Sequence, residues 1–303
     1  MLKAPVYLKK GDRVQLISPS GRIQPQAVEN ARNLLMQWEL KMQLSSSVLA
    51  YKGPFAGSDQ ERLHDLQAAL DDPDSKAIFC SRGGYGCARI VDALDFTEFK
   101  KHPKWLVGFS DITVLHSCIH NLGFQTIHAV MPNGYPLQEN DPIALSTLYK
   151  ALFGHALEYQ WQGTSLNREG VVQAPIIGGN LSVLYSLRAT PTDLDTAHKI
   201  LFIEDLNEYY YHLDRMMSNL YRGGLLSELA ALLVGEFSQM KEGVYAYGKS
   251  ANEIIREYVA PYNYPVAFDF PAGHIQNNHA FYLGRDANLS ITNDHKQTQL
   301  TYL

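Results

Sequence analysis

Three stretches of this 303-residue chain carry side chains that could make and break an acyl bond, and two more are glycine-rich. "WLVGFSDITVLHSCIHNLG" (105–123) sets Ser110 between an apolar run and a helical pattern. That is the spacing of a nucleophile elbow, where a sharp strand-to-helix turn lifts a hydroxyl clear of a sheet and aims the next N–H at a developing oxyanion. A small residue two positions before the serine relieves crowding, and Gly108 supplies it; the usual second glycine, two positions after, is replaced by Ile112. Such a serine needs a base, an acid to orient that base, and a second oxyanion donor. "FDFPAGHIQNN" offers His274 in a loop just past an apolar run, where rigid scaffolds present catalytic groups. "ILFIEDLNE" ends an apolar run in Glu204 and Asp205. One of the two acids could accept the imidazole Nδ1–H while the other caps the next helix; the residues alone do not choose. "SRGGYG" is a glycine-rich turn whose backbone N–H groups could approach a carbonyl oxygen, and "IIGGN" is a second glycine pair, equally readable as a tight turn.

Each feature also has a plainer reading. Ser and Asp are common helix N-caps, and capping is the expected role of the Asp111 side chain. His116 and His120 stand four apart, a spacing that can ligate zinc, but no Glu follows His116 and no third ligand is evident, so no metal is expected. Glycines at 83, 84 and 86 fit neither a Walker loop nor a dinucleotide fingerprint.

The elements that must position these groups follow from periodicity. In the first half, strands are expected at Arg13–Ile17, Lys76–Cys80 and Trp105–Val107. Helices are expected at about Ala27–Trp38, Gln60–Leu70 (capped by Ser58–Asp59), Ala88–Leu94, and after the elbow. On that last helix Ile112, Leu115, Ile119 and Leu122 share a face and Gly123 stands at the C-cap. Strand and helix alternating at this spacing mean a parallel sheet covered on both faces. Around 133–170 the pattern thins into turn residues, with one helical segment at Ile143–Phe153. The second half reads as a helix from Leu181, the strand "KILFIED", a helix with Leu213, Met216, Met217 and Leu220 inward and Gly223 as its stop, strands at "ELAALLVGEF" and "YPVAFDF" around a helix Ala251–Val259, and a terminal hairpin turning at Asn293–Asp294.

Composition bounds the partners. A net charge of −5 leaves no basic surplus to neutralise phosphates, so no nucleic acid is expected. No apolar stretch approaches the roughly 18–20 residues that span a bilayer, and the N-terminus lacks a signal peptide's apolar region. Three cysteines do not make a disulfide framework, and a reducing cytoplasm is expected.

Taken in order, these stretches resemble the LD-carboxypeptidase family of serine peptidases, which includes muramoyl-tetrapeptide carboxypeptidases and microcin-C-type immunity peptidases. The resemblance runs from "GDRVQLISPSG" to "LGRDANL" and rests on "RGGYG", "GFSDIT", "IIGGNLS", "IEDLNEYYYHLDRMM" and "FPAGH". It implies Ser110 as nucleophile, Glu204 rather than Asp205 as acid, and His274 as base, with no cofactor. Phe109 stands where many relatives carry tyrosine. The implied fold is α/β: an N-terminal flavodoxin-like or amidotransferase-like parallel sheet with helices (1–135), a linker (136–169), and a C-terminal β-rich α/β domain (170–303). The triad is then drawn from both domains. The oxyanion would meet the N–H of Asp111 and one from the Gly83–Gly84 turn, taken as Gly84. Family members cut between an L-centre and a terminal D-residue; the muramoyl type releases D-alanine from cytoplasmic murein tetrapeptide during wall recycling. A carboxypeptidase must hold a free carboxylate beside the scissile bond, and Arg82 is the candidate, because a guanidinium fork matches a carboxylate. The expected partner is a murein peptide, with a homodimer left open. Two other readings stand: a peptidase for microcin-type peptidyl- or aminoacyl-nucleotides, for which Trp161 could supply a stacking surface, and a catalytically silent peptide-binding protein.

Overall fold

The computed structural model describes residues 2–134, 142–292 and 297–302. The chain divides into two compact units, 2–156 with 279–282 and 157–278 with 283–303. In the first unit strands and helices alternate as β1 (Arg13–Ile17), α1 (Pro25–Gln37), β2 (Lys41–Leu44), α2 (Asp59–Asp71), β3 (Ser75–Cys80), α3 (Thr97–Lys101), β4 (Trp105–Gly108), α4 (Thr113–Asn121), β5 (Thr126–His128) and α5 (Pro142–Phe153). β2, β1, β3, β4 and β5 lie side by side in that order, all parallel, and a strand from late in the chain, Phe281–Leu283, extends the sheet beyond β5. Strands covered on both faces must be apolar throughout, and β4 is buried at every position. Ser58 caps α2 through a capping box with Glu61, as the sequence pattern predicts.

One helix expectation fails. Ala88–Leu94 lies in two short 3-10 turns, Cys87–Arg89 and Val91–Ala93, because Ile90 at φ −121° leaves the helical region between them. Buried Cys87, Ile90 and Val91 fix the two turns to the core, and so short a segment has no length over which to recover the cost of nucleating a helix.

The second unit contains β6 (Glu158–Trp161), β7 (Gly170–Asn180), α6 (Leu181–Ser186), β8 (Ile200–Leu206), α7 (Tyr210–Arg222), β9 (Ala231–Ser238), α8 (Ala251–Tyr258) and β10 (Val266–Ala267). After β11, the Phe281–Leu283 strand of the first sheet, come β12 (Asp286–Ile291) and β13 (Thr298–Tyr302). One sheet runs β10-β9-β8-β7-β12-β13-β6. β7 is its pivot: residues 170–175 pair antiparallel with β12, and residues 176–180 pair parallel with β8. Leu213, Met216, Met217 and Leu220 of α7 are buried with Ile254 and Ile255 of α8 and with Leu201, Ile203, Leu232 and Val234 of the strands. The β12–β13 hairpin forms, but the expected turn at Asn293–Asp294 lies outside the described residues.

Much of the stretch expected to link the domains belongs to the units themselves. α5 buries Ala144, Leu148, Ala151 and Leu152 in the first unit, and β6 is the edge of the second sheet. The strand expected over 264–270 shrinks to Val266–Ala267, since Asp269 turns the backbone to φ +61°.

Candidate active site

In the first unit β4 delivers the chain to Ser110 at the carboxyl end of a parallel sheet, where open α/β sheets place their ligands. Phe109 is extended, and Ser110 then adopts φ +64°, a left-handed conformation that disfavours a side chain by about 1–2 kcal/mol. Such strain persists where surrounding packing imposes it, as at functional turns. Gly108 fits that packing closely: a Cβ there would stand 3.0–3.2 Å from the Ile112 side chain, which would have to give by a few tenths of an ångström. Gly83 is required by Ser110 itself, because a Cβ on Gly83 would fall 2.8 Å from Ser110 Cβ and 2.9 Å from its Oγ. The glycine-rich turn therefore lies directly against the candidate nucleophile.

The Asp111 side chain does not cap its helix, contrary to expectation; the cap position makes no side-chain bond. Buried, its carboxylate accepts from Ser20 Oγ at 2.6 Å and from the Cys87 N–H at 2.9 Å. The 3-10 turn Ser110–Ile112 carries the chain into α4 and turns this carboxylate toward two neighbouring loops. His116 is likewise structural. Burial lowers its pKa to about 4, so the ring is neutral. Its Nε2–H donates to Gly108 O at 2.9 Å and its Nδ1 accepts from Thr126 Oγ1 at 2.8 Å, which ties the end of β4 to β5 and leaves neither nitrogen for a metal. Among the described residues no three His, Cys, Asp or Glu side chains gather as a metal-binding group. Arg82 is exposed beside the turn, and its Nη1 donates to Arg22 O at 3.1 Å. Burial, with the Asp111 charge, pushes the Cys80 and Cys87 thiols up, so neither is a nucleophile.

The second unit gathers charge instead. Glu204 and Asp205 end β8, both buried. His274 Nδ1–H donates to Glu204 Oε2 at 2.6 Å, with the Glu204 side chain fully buried and that of His274 15 % exposed. Burial alone would lower the His274 pKa; the charge of Glu204, the hydrogen bond to it and the charge of Asp205 outweigh burial, and the value is raised. Two backbone features aim this pair. β9 carries an extra residue opposite Glu204, a bulge that re-aims side chains. Gly273, at φ +123°, has no Cβ; one would stand 2.9 Å from Glu204 Oε2.

Asp205 divides from Glu204 by its partners. Its carboxylate accepts from Ser182 N at 2.8 Å and Leu206 N at 2.9 Å, so it caps α6, the preceding helix rather than the next one. Burial raises its pKa to about 7, with the Glu204 charge adding to the rise. Asn180 joins the two acids, its Nδ2 donating to Asp205 Oδ1 at 2.9 Å and Glu204 Oε1 at 3.3 Å while its Oδ1 caps Val183 N. "IIGGN" is thus no tight turn but the end of β7. Gly178 has no Cβ because Phe202 O would stand 2.0 Å from it. Asn180 pairs across the strands with Glu204, a neighbour that the sequence does not announce. Trp161 is taken into packing: its Nε1 donates to Phe268 O at 2.8 Å and its ring meets Phe270 edge-on at 5.1 Å.

The first unit therefore presents a hydroxyl on a strained turn beside glycine amides, and the second an imidazole held by a buried carboxylate. Comparison with known proteins matches residues 14–129 to the LD-carboxypeptidase N-terminal domain and residues 173–289 to the LD-carboxypeptidase C-terminal domain. This chain belongs to the LD-carboxypeptidase family. Within it, a probable murein peptide carboxypeptidase of Bacillus subtilis is 34% identical over 288 residues, 93% of this chain and 90% of that protein. The crystal structure of muramoyltetrapeptide carboxypeptidase from Oxalobacter formigenes superposes with a TM-score of 0.86 at 26% identity, covering 96% of this chain and 98% of that one. The microcin C7 self immunity protein MccF, in complex with aspartyl sulfamoyl adenosine, superposes at 0.85 with 20% identity over 100% of this chain and 99% of that one, a likeness of fold. The LD-carboxypeptidase chain is accordingly a peptidase hydrolase. No helix among its described residues is long and apolar enough to cross a membrane.

Proposed function

We propose that this chain is a serine-type LD-carboxypeptidase that releases terminal D-alanine from cytoplasmic murein tetrapeptide. The observation that carries the reading is the left-handed Ser110 with Gly83 against its hydroxyl, in a chain whose other unit holds the Glu204–His274 pair at 2.6 Å. In this reading Ser110 Oγ attacks the carbonyl between the L-centre and D-alanine, and His274 Nε2 takes its proton. The tetrahedral oxyanion is met by the N–H of Asp111 and by Gly84 of the glycine-rich turn. His274 then protonates the leaving amine, D-alanine departs, and water cleaves the acyl-serine by the same steps in reverse order. Glu204 holds the imidazole tautomer with Nδ1–H and stabilises the imidazolium. The Bacillus relative's name, which specifies murein peptide, supports the substrate class.

Incubation with murein tetrapeptide and with a microcin-type aminoacyl-nucleotide, followed by mass spectrometry, tests the assignment. Release of D-alanine from the first alone is expected; cleavage of the second alone would transfer the chain to the nucleotide-directed reading.

Arg82 is assigned to the substrate's terminal carboxylate. Breaking a charge-assisted pair in a partly desolvated site costs about 2–5 kcal/mol. Arg82→Gln should therefore sharply lower kcat/KM for the free-acid tetrapeptide and much less for its C-terminal amide. An unchanged acid-over-amide preference would leave Arg82 as the residue that ties the turn to Arg22 O.

A further inference from the structure

One buried cation of the first unit has no part in the chemistry above. Arg62, in the first turn of α2, is 1 % exposed. Its Nη1 donates to two backbone carbonyls, Pro19 O at 2.8 Å and Gly86 O at 2.9 Å, and its Nη2 pairs with Asp59. Asp59 is held in turn by Arg89 at 2.7 Å, and the Phe55 ring lies 5.0 Å from the Arg62 guanidinium. α2 does not need this arginine for its start, which Ser58 and Glu61 already cap. A guanidinium is buried at a desolvation cost that only well-placed acceptors offset. Its acceptors are therefore the informative part.

Pro19 and Gly86 sit on the two loops that meet around Ser110. Gly21 N donates to Gly83 O at 3.0 Å, and Ser20 Oγ and the Cys87 N–H converge on the Asp111 carboxylate. Gly86 adopts φ +142°, and a Cβ there would fall 2.5 Å from Arg62 Nη1, so the glycine is what lets the guanidinium reach the carbonyl.

We propose that Arg62 is a positioning residue for the reaction: a clamp that holds the Pro19 and Gly86 carbonyls together and so sets the glycine-rich turn against Ser110. The inference rests on the reading of Ser110 as nucleophile and of that turn as an oxyanion donor. A clamp of this kind touches no substrate itself; loosening it moves the oxyanion donor of the turn, so the larger loss falls on kcat, and any rise in KM comes through Arg82 on the same turn. Small misplacements at an active site cost about 100-fold in rate.

The test is steady-state kinetics on murein tetrapeptide, well below each variant's measured unfolding midpoint. Arg62→Met should lower kcat roughly 30- to 100-fold, with a smaller change in KM. Arg62→Lys, which keeps the charge and can reach a carbonyl, should recover part of the loss. Arg32→Met, an exposed arginine of α1, serves as control and should match wild type. If Arg62→Met does not fold, Gly86→Ala is the second variant: its methyl displaces the guanidinium and strains the turn at φ +142° while the buried charge stays, and the same kcat-dominated loss is expected. Wild-type kcat in a folded Arg62 or Gly86 variant, or a change in KM alone, overturns the clamp. The underlying reading is scored separately, by the mass adduct of a serine-directed fluorophosphonate on wild type. An adduct on Ser110 with an unaffected Arg62→Met rejects the clamp alone; no adduct, with an active Ser110→Ala enzyme, rejects the nucleophile.

Discussion

The two units prepare their candidate groups by opposite physical means. Around Ser110 the preparation is in the backbone. A left-handed serine, glycines at 83, 84 and 108, and a neutral His116 shape where N–H groups and one hydroxyl can lie. Side-chain charge there is spent on holding loops, as with Asp111 and Arg62. Around His274 the preparation is in protonation. Two adjacent carboxylates are buried, one given to a helix N-terminus and the other to an imidazole, with Asn180 between them. A hydroxyl is a poor nucleophile wherever it stands, so the serine side contributes its placement and the backbone N–H donors for an oxyanion. The imidazole side must contribute a base, and its tuning is electrostatic.

That contrast predicts where each half breaks. Ser110→Ala should lower kcat by about 10⁴- to 10⁶-fold with the fold unchanged by circular dichroism; near wild-type turnover would reject the assignment. Glu204→Gln should follow, at about 10⁴-fold, while Asp205→Asn loses far less, because only Glu204 meets the imidazole. The pH profile sharpens this. His274 must be neutral to accept a proton and its pKa is raised, so activity should fall as pH drops through a value above 6.5. In Glu204→Gln that limb should move to lower pH, since burial then acts unopposed by the Glu204 charge. The reverse ranking of the two acids would hand the role to Asp205. On the backbone side, Gly83→Ala should cost about 100-fold in kcat, because its methyl can fit only by shifting Ser110, and it should leave the pH profile in place. A shifted profile would mean that the two halves are not separable in this way.

The smallest effect concerns stability. The folded-state pKa of Asp205 is raised from 3.8 to about 7. Its stabilising contribution is then complete below the unfolded value and is lost as pH rises through about 7. Urea unfolding at pH 5 and pH 8 should show wild type losing about 2–3 kcal/mol relative to Asp205→Asn. A pH-independent gap would show that the three N–H donors around Asp205 keep it ionised throughout.

The sequence by itself determined the elements and the residue types of the chemistry. Unbroken apolar runs mark strands buried on both faces, and the 3.6-residue repeat at Leu213, Met216, Met217 and Leu220 marks the inner face of α7. Gly108 before Ser110 is legible because an elbow needs a small residue at that spacing. Tertiary structure decided what depends on neighbours remote in the chain. Which of Glu204 and Asp205 meets an imidazole was open from spacing alone; in the fold Glu204 accepts from His274 and Asp205 from Ser182, 70 and 23 residues away. Asp111 reads locally as a cap, yet Ser20 and Cys87 claim it, 91 and 24 residues away. Asn180 and Arg62 read locally only as a cap for Val183 and an i,i+3 partner for Asp59, while the acids and carbonyls they also hold lie on other strands and loops. Local pattern encodes which face of an element is buried; which buried polar groups find each other is settled only when the elements pack, since each must be satisfied by whatever then lies beside it.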